Sequence, residues 1–261
     1  MNQDISICVL TENEMGWTEP FELDKVQILD NYYLSAQKSD IAFLKKMDTA
    51  RLLAGFRTTA GIDTKGVRPY GGWEDSLLGG HCVGHYLTAL AQAVKVTGDK
   101  ELKEKSQTLI AGLEECQKKL GTGFLFGAKV EDKEDVEKQF DILEGKKKGE
   151  TWVPWYNMHK VLAGLVDTYK YTGNETALLV AEKLGDWIYE RVSKWDLKTN
   201  QKVFTVLFAS GLEYNVLYNV NKPKFRIEYA FASDETITFN KKDKLLINKL
   251  YSSVRDILPD F

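Results

Sequence analysis

All three histidines of the chain fall in two short segments: His81 and His85 in GGHCVGHY, and His159 in WVPWYNMHK. Imidazoles can bind a metal, move a proton, or exchange hydrogen bonds with hydroxyl groups, because a neutral ring donates from one nitrogen and accepts at the other. His81 and His85 are four residues apart and share one face if helical. The HxxxH spacing suits a zinc pair, but it lacks the intervening glutamate of HExxH. Cys82 points elsewhere on such a helix, so no metal is expected here and polar contact with a ligand is favoured. Buried histidines satisfied by core hydrogen bonds are the plainer alternative. Trp73, Trp152, Trp155 and Tyr156 flank the histidines. Such rings cover the apolar faces of sugars while neighbouring polar groups fix the hydroxyls; anchoring of loops is their other role. A glycosidase usually needs two carboxylates. Glu74, Asp75 and Asp167 lie nearest, and Glu74 and Asp75 serve equally well as helix caps or surface ion pairs. No Ser-His-Asp or Cys-His arrangement follows from order or spacing, and the glycines match neither a P-loop nor GxGxxG.

The elements that must position these residues show an internal repeat. Residues 85–117 and 160–192 superimpose at an offset of 75 positions: Leu87 on Leu162, Leu90 on Leu165, Thr97-Gly98-Asp99 on Thr172-Gly173-Asn174, and Leu109 on Leu184. Each copy reads as helix, TG[D/N] turn, helix. Glycine supplies a left-handed residue after the first helix, and Asp or Asn caps the second. Two copies of a helical hairpin define an α/α repeat. In that register Gly84 meets His159 and His85 meets Lys160, so the histidines occupy equivalent ends of two hairpins. The apolar spacing of Ile41, Leu44, Met47, Ala50, Leu53 and Ala54 predicts a helix from Ser39 that stops near Gly55. Residues 1–35 read as an irregular lead-in, 55–80 as a glycine-rich connection, and 131–150 (EDKEDVEK, GKKKG) as a solvated insertion. A third, weaker hairpin copy spans 212–230, although alternation from Phe225 is more strand-like. Leu245–Leu258 could form a last helix.

The segments LSAQKSD (34–40), RLLAGFRTTAG (51–61), YGGWE (70–74), GGHCVGHYLTALA (79–91) and WVPWYNMHKVLAGLVDTYKYTGNETAL (152–178) together resemble glycoside hydrolase family 127, the β-L-arabinofuranosidase family. The resemblance covers about residues 20–195. It implies an all-α, (α/α)6-toroid-like catalytic domain acting on terminal β-L-arabinofuranosides of plant-derived glycans. Its sugar pocket implies roles for Gln37, His81, His85 and His159, beside Trp73, Glu74, Trp155 and Tyr156 from the reading above. The family's retaining mechanism uses a cysteine nucleophile held by zinc and a glutamate acid/base in later segments. Cys8, Cys82 and Cys116 do not sit in such motifs, and Ala209 stands where an acidic residue is expected. No cofactor is therefore predicted for this chain. The expected organisation is an incomplete toroid over 1–208 and a degenerate continuation over 209–261, inactive or weakly active on its own.

Composition narrows the partners. The chain has 261 residues, 35 Lys+Arg against 38 Asp+Glu and a net charge of −3, which argues against a nucleic-acid footprint. No apolar run approaches the roughly 20 residues that span a bilayer. No export signal is visible at the start, and three scattered cysteines suit reduced thiols, so the expectation is a cytoplasmic location, or else a chain that has lost its original leader. A carbohydrate ligand is the expected partner. An exposed inner helix face would favour a homo-oligomer. The competing readings are a non-catalytic helical-repeat module for carbohydrate or protein, and a sugar epimerase in which two histidines shuttle protons.

Overall fold

The computed structural model describes residues 21–130, 132–200 and 202–203, and the backbone of two short strands at 214–217 and 226–229. Its helices are α1 (Asn31–Lys46), α2 (Thr49–Thr59), α3 (His81–Thr97), α4 (Lys100–Leu120), α5 (Lys138–Glu144), α6 (Pro154–Thr172) and α7 (Glu175–Val192). Local chemistry sets most of their ends. Asp30, Asp48, Asp99 and Asn174 accept backbone N–H groups of the first turns of α1, α2, α4 and α7. Gly98 and Gly173 end α3 and α6 at φ 66° and 68°, a conformation costly for any other residue. Both TG[D/N] turns therefore form as the repeat predicts.

Two hairpins, α3/α4 and α6/α7, build two layers: α3 packs on α6 in one and α4 on α7 in the other, with α2 against α4 and α1 against both α3 and α4. The contact between α3 and α6 is the closest in the molecule. A Cβ at Gly84 would strike the Lys160 carbonyl, and one at Gly164 would strike the Gly84 carbonyl. Asn157 Nδ2 donates to the carbonyls of Leu77 (3.3 Å) and Gly79 (3.2 Å), and Thr88 donates to Asp167 (2.7 Å). These pairs advance together along both helices, so α3 and α6 run parallel with their N-termini at the same end. This is the two-layer arrangement of an α/α-toroid-like domain.

The core lies between the layers. Leu53, Phe56, Leu87, Leu90, Leu109, Leu113, Leu165 and Leu184 are buried in it, and Phe124, Phe126, Phe140, Trp155 and Trp187 form an aromatic cluster. Burying each such side chain stabilises by roughly 1.5–3 kcal/mol before its entropy cost.

Four expectations change. The helix expected from Ser39 to Gly55 is two helices. The chain turns at Met47, Asp48 caps α2, and Gly55 lies inside α2, where a Cβ would collide with the backbone of Gly127. The lead-in becomes helical at Asn31. The insertion is not wholly solvated: α5 buries Phe140 and Leu143, because KQFDILE carries an apolar face. In place of a third helical hairpin, β1 (Tyr214–Leu217) and β2 (Arg226–Tyr229) pair antiparallel, Val216 opposite Ile227. Aromatic and β-branched residues favour that pleated pairing. The segment 1–20, the 208/209 boundary and the helix expected at 245–258 lie outside the described residues.

Candidate functional site

The site is built on the shared N-terminal end of α3 and α6. Gly80, at φ 90°, precedes α3 and has no side chain to cap it. Glu74 does so from the preceding turn: Oε2 accepts the N–H of Gly80 at 2.9 Å and Oε1 that of Cys82 at 3.3 Å. A buried carboxylate is thus fixed at the positive end of the helix dipole. Burial favours its protonated form, but the His81 ring and the backbone N–H groups of Gly80 and Cys82 outweigh that and lower its pKa.

His81 Nδ1 lies 2.8 Å from the Leu78 carbonyl and 3.0 Å from Glu74 Oε1. Its Nε2 lies 3.6 Å from Cys82 Sγ. The thiol and then the carboxylate favour the charged ring, and the His81 pKa rises to about 10 despite burial. The sequence expectation for Cys82 is overturned: His81 is the first residue of α3, and its ring bridges back between Glu74 and the thiol.

Around this buried chain stand exposed groups. The His85 ring centre is 6.1 Å from that of His81, as the HxxxH spacing requires. The Trp73 and Tyr156 rings are each 6.2 Å from His81, and Lys160 Nζ lies 4.9 Å above Tyr156. Trp73 is 67% exposed, which leaves one large aromatic ring free. Partial burial, then the charges of Lys160, His81 and His159, lower the His85 pKa. Partial burial and Lys160 do the same to His159. Both rings are thereby kept neutral at pH 7, able to donate and accept hydrogen bonds.

Three of the expected site residues do not stand open beside the histidines. Trp155 is 7% exposed, with its ring 5.0 Å from Phe140 and 5.3 Å from Trp195, so it belongs to the aromatic core. The phase of α6 turns Trp155 and Met158 inward and leaves Tyr156 and His159 on the other side. Glu74 has both oxygens committed to protein donors and acts as cap and orienter of His81. Gln37 lies half-exposed on α1 and, among the described residues, makes no hydrogen bond to the histidine cluster. Asn157, which ties the 77–79 turn to α6, is missed by sequence reasoning, because its partners lie about 80 residues away.

The resemblance implies zinc. Among the described residues, Glu74, His81 and Cys82 can bring ligand atoms within 4.8 Å of one another. They do not fit a metal cage. The two ring nitrogens of His81 face different neighbours, so an ion on Nε2 and Sγ would not share the carboxylate oxygen at Nδ1. A groove of about 390 Å³ lies elsewhere, lined by Ser106, Gln107, Thr172 and Asn174. That groove lacks imidazoles and aromatic rings, and we assign the chemistry to the histidine end.

The parallel helical hairpins present imidazoles and open aromatic rings at one end of an α/α-toroid-like domain. The chain matches the family profile described as Beta-L-arabinofuranosidase, GH127 catalytic domain, over residues 25–220, and it belongs to that family. A comparison with curated proteins gave no match.

Proposed function

We propose that the α3/α6 end binds a terminal β-L-arabinofuranose of a plant-derived glycan, as the sugar-recognising part of a glycoside hydrolase. The observation that carries the reading is the convergence of His81, His85, His159, Trp73 and Tyr156 at the common end of two repeated hairpins. Trp73 and Tyr156 supply apolar faces for the ring. His85 and His159, held neutral, exchange hydrogen bonds with its hydroxyls. Asn157 and the Gly84–Gly164 contact fix the spacing between the two helices. Gln37 joins them from α1 by family resemblance, across the face that packs α1 on α3.

The test is thermal unfolding of the full chain with methyl β-L-arabinofuranoside. A ligand that binds only the folded state raises stability by about 2.7 kcal/mol at a hundredfold excess over its Kd. The glycoside is expected to raise Tm, and His85→Ala or His159→Ala to remove the rise. No rise in the parent chain at saturating glycoside overturns the reading. The second reading, a helical-repeat module for a protein partner, is favoured by α1: it buries no residue and exposes Tyr32 (78%), Tyr33 (62%) and Phe43 (62%). Under that reading no sugar stabilises the chain.

A further inference from the structure

Cys82 is the second residue of α3 and has no part in the sugar contacts described. Its surroundings differ from those of an inert thiol in three respects. Its Sγ lies 3.6 Å from His81 Nε2, while His81 Nδ1 is held by Leu78 O and Glu74 Oε1. The His81 ring, held charged by these neighbours, directs Nδ1–H at those acceptors and Nε2–H at the sulfur. Sulfur, imidazolium and orienting carboxylate thus stand in an order that favours a thiolate nucleophile. Secondly, the His81 and Glu74 side chains are each 8% exposed, so the imidazole is held in place, whereas Cys82 is half-buried and open to a reagent. Thirdly, the first turn of a helix favours a negative charge. Cys116 provides the contrast within one chain. It is fully buried, has no imidazole beside it, and burial pushes its thiol up to about 12.

We propose that Cys82 is an imidazole-assisted nucleophilic thiol, a modification site that takes small-molecule disulfides, and that the resulting adduct covers the sugar-binding end of α3. The second half of that statement rests on the function proposed above; the thiol chemistry does not. Cys82 gives its thiol proton to water, and the His81 Nε2–H bonds the thiolate that remains. The Cys82 thiolate attacks one sulfur of the small disulfide, whose S–S bond breaks as the new one forms. The other half leaves as a thiolate and takes a proton from water. One disulfide and one thiol are consumed, and one of each is produced.

The experiment uses the full chain, iodoacetamide between pH 6 and 9, and peptide mapping by mass spectrometry to assign each cysteine. Cys82 is expected to label at pH 6.5 at least tenfold faster than in His81→Gln. Cys116 is expected to stay unlabelled until the chain is denatured. Glu74→Gln, which keeps an acceptor for the α3 N–H groups, is expected to slow labelling too, and circular dichroism melts check that each variant folds. Glutathione disulfide is expected to add one glutathione at Cys82, reversibly with dithiothreitol, and to abolish the Tm response to methyl β-L-arabinofuranoside. Equal rates in the parent, His81→Gln and Glu74→Gln chains overturn the proposal. So does a thiol that labels only after chelation of stoichiometric zinc, which would make the cluster a metal centre. Fast labelling without a sugar response in either free or capped chain supports the nucleophilic thiol and overturns the sugar reading instead.

Discussion

Two charged clusters in this molecule are built from the same kinds of residue and behave differently. Around Arg191 each of the three guanidinium nitrogens meets a carboxylate. Its Nε meets Glu144, Nη1 meets Glu137 at 2.8 Å, Nη2 meets Asp141, and Trp187 Nε1 donates to the free oxygen of Glu137 at 3.0 Å. The guanidinium is also stacked 5.4 Å from the Phe140 and Trp187 ring centres. At the α3/α6 end only the buried part, Glu74 and His81, is satisfied. Among the described residues, His85 and His159 have no protein hydrogen-bond partner. A closed network clamps α5 onto α7. An open one, oriented from beneath by a closed pair, is available to something outside the chain.

If this distinction holds, removing the centre of the closed network has the largest effect on stability. Arg191→Met removes the cation shared by three carboxylates, one of them on a fully buried side chain, Glu144, and leaves them only Lys146, Lys147 and the Trp187 N–H. Breaking a buried pair by deleting one partner costs about 3–5 kcal/mol. Urea unfolding is expected to show a loss in that range, and a loss under about 1 kcal/mol would break the comparison. Next comes Gly84→Ala, whose added methyl must push apart two backbones in contact. Overpacking of this kind costs about 1–3 kcal/mol. It also moves His85 away from His159, so loss of the glycoside response should accompany the lower Tm.

The same comparison has a pH form. Burial tends to raise the Asp141 pKa, but Lys147 and Arg191 hold it below the usual carboxylate range. Its contribution is therefore present above the unfolded-state value near 4 and is lost as pH falls through the lower folded value. His81 runs the other way. Its contribution is complete below the unfolded value near 6.5 and is lost as pH rises toward about 10. Tm measured across pH is expected to fall on the acid side through the Arg191 network and on the alkaline side through His81. In His81→Gln the alkaline fall should be shallower while the acid fall is unchanged. An unchanged alkaline limb would mean that the Glu74–His81 pair carries no such linkage.

How far the sequence reveals these features depends on distance along the chain. The TG[D/N] turns are legible because cap and capped N–H group lie within three residues, as in Asp99 to Leu102 and Asn174 to Ala177. The parallel ends of α3 and α6 follow from the offset of 75 positions between the copies. The Arg191 clamp is not legible, since its partners lie 47 to 54 residues away and EDKEDVEK resembles any solvated run. Trp155 is misleading for another reason. Adjacent aromatics on a helix point about 100° apart, so only the starting phase, set here by Pro154, tells which one faces the core. Tyr156 and His159, three residues apart, share the face that Trp155 does not.

The smallest effect on stability is expected where the effect on binding is greatest. His85 and His159 are exposed, and surface substitutions of that kind usually stay within about 0.5 kcal/mol. His85→Ala and His159→Ala should therefore melt close to the parent chain in the absence of sugar. With methyl β-L-arabinofuranoside, the parent should gain stability and each variant should not. A variant that lost several kcal/mol without ligand would show its histidine to be part of the scaffold, like Arg191. Retention of the full sugar response in both variants would move the ligand away from the imidazoles and leave the open end of α3 and α6 without a task. Only normal stability combined with a lost response separates a residue that holds the fold from one that the fold holds in place.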